Sequence, residues 1–226
     1  DLLEERANNY LGALCPADGK AGLAFVDVTT GEFLVAQLEG AIERTVVDEL
    51  TRMAPAEVLV PETHDAALLD RLRARFDGAA FTPRPDDDFD TATARDRLLD
   101  LFELSTLKGV DLENRPEAVS SAGAVLAYVK ETQRDSAPRL RLPHRYNPSG
   151  YVVLDGNTQR NLELIESLAG KSKRGTLLGV LDRTLTSMGG RKLRHWILHP
   201  LVQVDAIRLR LGALEELFED TELRMH

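Results

Sequence analysis

Short apolar runs broken by turn residues open the chain, and their spacing predicts its first elements. "AGLAFVDVTTGEFLVAQLEG" reads as two strands, Leu23 to Val28 and Glu32 to Leu38, joined through Thr29-Thr30-Gly31, whose glycine suits a hairpin. The period then lengthens. "AIERTVVDELTRM" puts Ile42, Val46, Leu50 and Met53 on one helical face, "EVLVP" reads as a short strand, and "HDAALLDRLRARF" aligns Ala67, Leu68, Leu72 and Phe76 on a second helical face. Ahead of the hairpin, Leu2 to Ala13 reads as a lead-in of helix or strand ending at the turn residues of "CPADGK". Strand, strand, helix, strand, helix predicts a mixed α/β sheet with flanking helices.

The pattern breaks at "TPRPDDDFD", which holds two prolines and four aspartates. Beyond "TARDRLLDLFEL", the run "EAVSSAGAVLAYVKETQ" reads as a helix of small and apolar residues. A domain change is placed between Lys108 and Pro116, giving domains 1–110 and 111–226. The second domain is expected to be mainly α-helical. Its elements are a short strand near Arg141 to Tyr146, a strand Tyr151 to Leu154, and a helix from Asn157 with Leu162, Ile165 and Leu168 at helical spacing. Helices near Thr176 to Arg183, Gly189 to Leu198 and Asp205 to Glu219 follow, the last capped by Asp205.

Composition narrows the function classes. A net charge of −9 argues against a general nucleic-acid binder, because phosphate neutralisation needs Lys and Arg. The layout is uneven: residues 1–109 carry 11 basic and 22 acidic groups, whereas Lys130 to Arg194 carries 13 basic and 6 acidic ones. Without interleaved aromatics the basic stretch reads as a solvated face, the alternative being a footprint for an acidic partner. The single Cys15 excludes an internal disulfide and a multi-cysteine zinc cluster. No apolar run reaches the length of a membrane span and the first residues lack a signal-peptide pattern, so a cytoplasmic protein is expected.

Four places in the sequence carry candidate chemistry. "LAGKSKRGT" contains Gly170-Lys171-Ser172, but the glycine that a phosphate-cradling loop needs five residues earlier is Ile165, and a helix-like segment precedes it. Lys171, Lys173 and Arg174 therefore read as a basic surface loop facing a partner or DNA. Asp27, with Glu49, Glu62, Asp86, Asp87 or Asp88 as helpers, suits a ribonuclease-H-like nuclease that holds two metal ions between carboxylates. The competing reading has Asp27 bonding its own Thr-Thr-Gly turn. His195 and His199 have the i, i+4 spacing of zinc ligands, but Trp196 stands where the zincin glutamate belongs, and they read as structural. Cys15 reads as a packed thiol and Trp196 as a core anchor. By elimination the chain is a scaffold or binding module.

A family resemblance rests on the second domain. Arg160 to Glu163, Gly175 to Leu177, Leu181 to Thr184, Met188 to Arg191, Trp196, Pro200 and Leu201 resemble the start of the core domain of the MutS family of DNA mismatch-recognition proteins. "GLAFVDVTTGEF" with "PAEVLVPE" is similar to that family's connector domain. The resemblance implies an α/β ribonuclease-H-like connector at 1–110 and the N-terminal part of the core at 111–226. It implies a non-catalytic fragment, without cofactor or metal of its own, that relays between mismatch-reading, clamp and ATPase parts and offers a surface to a MutL-type partner. ATP and Mg belong, on this resemblance, to a C-terminal domain outside the fragment. Mismatched double-stranded DNA and a homodimer belong to the full-length protein, a DNA-dependent ATPase. The alternatives are the Asp27 nuclease and a basic nucleic-acid-binding module.

Overall fold

The computed structural model describes residues 9–63, 66–76, 79–132, 140–152, 154–169 and 172–220. They group into two compact units, 1–147 with 184–191, and 148–183 with 192–226.

The first unit is built on a six-stranded mixed sheet. In chain order it holds β1 (Leu11–Ala17), β2 (Lys20–Asp27), β3 (Glu32–Glu39), α1 (Ile42–Met53), β4 (Glu57–Pro61), α2 (Ala66–Arg75), β5 (Ala80–Arg84), α3 (Thr91–Leu101), α4 (Pro116–Thr132) and β6 (His144–Arg145). The strands lie in the order β5-β4-β1-β2-β3-β6. β1, β2 and β3 form an antiparallel meander, while β4 runs parallel to β1, β5 to β4 and β6 to β3. Both meander turns carry a glycine in the left-handed region, Gly19 at φ 67 and Gly31 at φ 72, where a side chain would be strained.

Side-chain alternation along β2 separates two cores. Ala24 and Val26 meet α4, whose Ala118, Val119, Ala122, Val125 and Val129 are buried, and α3 adds Ala94 and Leu98. α4 comes very close to the sheet because glycine leaves room: a Cβ on Gly22 would stand 1.8 Å from the Glu117 carbonyl oxygen, and one on Gly123 2.2 Å from the Ala94 Cβ. Leu23, Phe25 and Asp27 point the other way, where α1 packs on β2 and β3 and α2 on α1.

The sequence-based boundary at residues 110 and 111 therefore falls inside the first unit. α4 belongs to the sheet, whose face it covers. β1 is a full strand where a lead-in to a turn was expected; residues 1–8 of that lead-in lie outside the described residues. β5 and a single 3-10 turn, Asp86–Phe89, occupy the Pro- and Asp-rich stretch read as a break.

The second unit contains α5 (Gly156–Asn161), α6 (Leu177–Leu181), the end of α7 (Ser187–Leu198) and α8 (Val204–Glu219). The strand expected at Tyr151 to Leu154 is a single bridge, Tyr151 to Leu201. The helix expected from Asn157 through Leu168 stops at Asn161, because Glu163 turns into the left-handed region at φ 47. Leu164 is consequently buried while Leu162 and Leu168 are exposed. Asp205 is not a cap; Gln203 holds that position without a side-chain bond. Among the described residues no helix is long and apolar enough to cross a membrane.

Candidate functional site

Five polar side chains enclosed on the α1 side of the sheet are the most unusual feature of the first unit. Asp27, Glu49, Arg52, Tyr10 and Tyr146 are all buried. Asp27 closes the turn after β2: its Oδ1 accepts from the Thr29 amide at 2.9 Å, the Thr29 hydroxyl at 2.6 Å and the Thr30 amide at 3.3 Å. The Tyr10 hydroxyl donates to Glu32 at 2.5 Å. On α1, three residues apart, Arg52 and Glu49 form a buried ion pair, and the Arg52 guanidinium sits 5.9 Å from the centre of the Tyr146 ring.

The site is incompletely satisfied. Asp27 Oδ2, Glu49 Oε2 and the Tyr146 hydroxyl are shut off from solvent without a hydrogen-bond partner among the described residues. Each such orphan costs about 1–3 kcal/mol. Burial, and then the negative charge of Glu49, hold the Tyr146 phenol well above its ordinary pKa, with the Arg52 charge opposing. Glu49 reaches the Tyr146 hydroxyl only as a weak acceptor, outside ordinary hydrogen-bond geometry.

The acidic residues singled out from the sequence do not converge. Register places Asp27 level with the start of β4, since Leu11 pairs both Val26 and Glu57. Glu62 follows the end of β4, roughly 16 Å further along at the rise of a strand. Asp86 accepts from the Thr63 amide at 3.0 Å, and Asp88 takes Arg84 at 3.0 Å and Arg97 at 3.5 Å. Asp87 lies in the same 3-10 turn. Among the described residues no three His, Cys, Asp or Glu side chains are grouped to hold a metal ion. Asp27 and Glu49 are both enclosed, Asp27 bonded to its own turn and Glu49 to Arg52 one helical turn away.

Of the basic loop, Gly170 and Lys171 lie outside the described residues. Lys173 and Arg174 are exposed. Thr176 at the end of the loop caps α6 with its side chain: its hydroxyl accepts from the Gly179 amide at 3.0 Å and donates to the Lys173 carbonyl at 2.7 Å. The rings of His195 and His199 stack with centroids 3.9 Å apart and 15° between planes. His199 Nδ1 donates to the His195 carbonyl at 2.8 Å and its Nε2 is closed to solvent. Trp196 is half-buried where enclosure was expected, with the Arg210 guanidinium 4.2 Å from its ring and Lys192 at 5.8 Å. Sequence reasoning missed Arg52, Tyr10 and Tyr146; the one signal was Arg52 following Glu49 at i, i+3 on a helix with an otherwise apolar inner face.

Two adjoining surface depressions, of about 370 and 360 Å³, share Asp111 in the first unit. Lys108 and Arg115 line one, His144 and Arg145 the other.

Comparison with known proteins covers both units. A family model described as MutS domain II matches residues 9–144, and one described as MutS domain III matches residues 157–226. The chain is 37% identical over 232 residues to the DNA mismatch repair protein MutS of Trichodesmium erythraeum, covering 99% of this chain and 26% of that protein. It is 40% identical over 236 residues to MutS of Synechococcus elongatus, with coverage of 99% and 26%, and 41% identical over 216 residues to MutS of Desulfosudis oleivorans, with coverage of 95% and 24%. The chain thus spans about a quarter of the length of the curated relatives it matches.

Proposed function

The chain belongs to the MutS family of DNA mismatch repair proteins, and from that premise we propose that it is a non-catalytic interaction and relay portion of such a protein. The sheet unit is the connector and takes a MutL-type partner; the second unit is the opening part of a mainly helical core. The strand order β5-β4-β1-β2-β3, an antiparallel meander extended by two parallel strands, supports a ribonuclease-H-like reading of the connector. The whole protein takes mismatched double-stranded DNA and a second subunit, holds ATP with Mg in a C-terminal part beyond this quarter, and acts in the cytoplasm. Lys173 and Arg174, with Lys171 that lies outside the described residues, offer positive charge to DNA or a partner, and Trp196 steadies the second unit.

The observation that carries the reading is the state of the acidic residues in the sheet unit. Asp27 and Glu49 are enclosed, and Asp86 and Asp88 are occupied by Thr63, Arg84 and Arg97 about one β4 length from Asp27. The depressions beside Asp111 offer solvent concave surface of mixed charge, with Lys108, Glu113 and Arg115 in one and His144 and Arg145 in the other. That suits recognition of a protein. Biolayer interferometry of the chain against an immobilised MutL-type repair protein tests it. Saturable binding weakened tenfold or so by Lys108→Glu with Arg115→Glu is expected; absence of binding rejects the partner reading.

A further inference from the structure

Tyr146 is the last enclosed side chain before the first unit ends at Asn147 and the second begins at Pro148. Little backbone holds it. β6 pairs Leu34 with His144 and Val35 with Arg145, and the Tyr146 amide then donates to the Val35 carbonyl at 3.0 Å. A strand of two residues has few bonds to lose and opens before the ladder it borders.

The side chain is seated with a built-in conflict. Its ring is buried and meets the Arg52 guanidinium, which favours docking. Among the described residues its hydroxyl and Glu49 Oε2 are enclosed with no ordinary hydrogen bond, only a weak mutual contact, which favours release into water. Tyr10, on the same face, has no such conflict, because its hydroxyl reaches Glu32 at 2.5 Å.

We propose that β6 and Tyr146 form a releasable latch, a two-state element in which this strand and its side chain leave β3 and α1 together while β1 to β5 stay folded. The docked state keeps the ring contacts; the released state hydrates the Tyr146 hydroxyl and the Glu49 carboxylate. Anything that binds one state better shifts the population at the point where the chain passes to Pro148. The latch stands on the geometry of the first unit alone, so it holds or fails independently of the partner reading.

Native-state amide hydrogen exchange on the full chain, followed by NMR, tests it with Tyr146→Phe, which deletes the stranded hydroxyl and keeps the ring. In the unmodified chain the Tyr146 amide is expected to exchange roughly a hundredfold faster than the Ala24 amide in the β2–β3 ladder. In the Phe variant, exchange at position 146 slows about tenfold while Ala24 is unchanged. Equal rates at Tyr146 and Ala24 in the unmodified chain would overturn the latch, as would a Phe variant in which exchange at 146 is unchanged or faster.

Discussion

Gly22 lies against the backbone of Glu117, so closely that a Cβ on Gly22 would stand 1.8 Å from the Glu117 carbonyl oxygen and 2.6 Å from the Ala118 nitrogen. The obstacle is the first turn of α4 itself, which cannot swing aside as a side chain tip would. Gly22→Ala must either lift α4 from β2 or bend the strand. Overpacking costs about 1–3 kcal/mol, and a backbone obstacle belongs at the upper end or beyond. Urea unfolding should show a loss of about 3 kcal/mol or more for Gly22→Ala. Gly109, with nothing within 4 Å of its Cβ position, supplies the control: Gly109→Ala should change stability by less than about 0.5 kcal/mol.

The same packing fixes where the first unit ends. α4 supplies Ala118, Val119, Ala122, Val125 and Val129 to the core beneath β2, and without them Ala24 and Val26 face water. A protein of residues 9–147 should therefore melt cooperatively by circular dichroism, whereas one of residues 9–110 should show no cooperative transition. Comparable melting of both would return the boundary to residue 110.

The sequence made β2, β3, α1 and β4 legible because their apolar positions recur at the period of the element and Gly31 marks the hairpin, and α2 legible as a helix, although Leu69 is buried where the exposed Ala67 was expected. β1 was obscured by Pro16. It is tolerated because β4 pairs only Leu11 to Ala13, so Pro16 lies on an open edge. α4 was seen as a helix and assigned to the wrong neighbour: small residues show that something comes close, but only the fold shows that it is Gly22 on one side and Ala94 on the other. Asp27 was legible as a turn residue from the threonines after it. The Glu49–Arg52–Tyr146 group was not, since it joins residues nearly a hundred positions apart in sequence. The half-burial of Trp196 escaped for a similar reason, because its cover, Arg210, comes from the next helix.

Cys15 gives a pH prediction. Burial above all, with the charge of Glu117 adding and a Ser120 hydrogen bond opposing, pushes its thiol up to about 11 from 9.0. Near pH 8 its thiolate fraction, and hence its alkylation rate by iodoacetamide, should be about a hundredfold below that of a free thiol. The unfolded chain releases this proton at lower pH than the folded one, so the contribution to stability is complete below about pH 9 and is lost as pH rises towards 11. Cys15→Ala should flatten that part of the stability profile; an unchanged slope between pH 9 and 11 would show that the thiol is not its source.

On the reading proposed above, the enclosed carboxylates Asp27 and Glu49 serve the fold of the sheet unit and not catalysis. The most direct measurement is cleavage of labelled single-stranded, double-stranded and hybrid nucleic acid by the chain with Mg²⁺ or Mn²⁺, run in parallel on Asp27→Asn and Glu49→Gln. With Asp27 turned to the Thr29 and Thr30 amides and Glu49 held by Arg52, no metal-dependent cleavage is expected from the unmodified chain or from either variant. Metal-dependent cleavage that disappears in Asp27→Asn, in a variant that still folds, would contradict it.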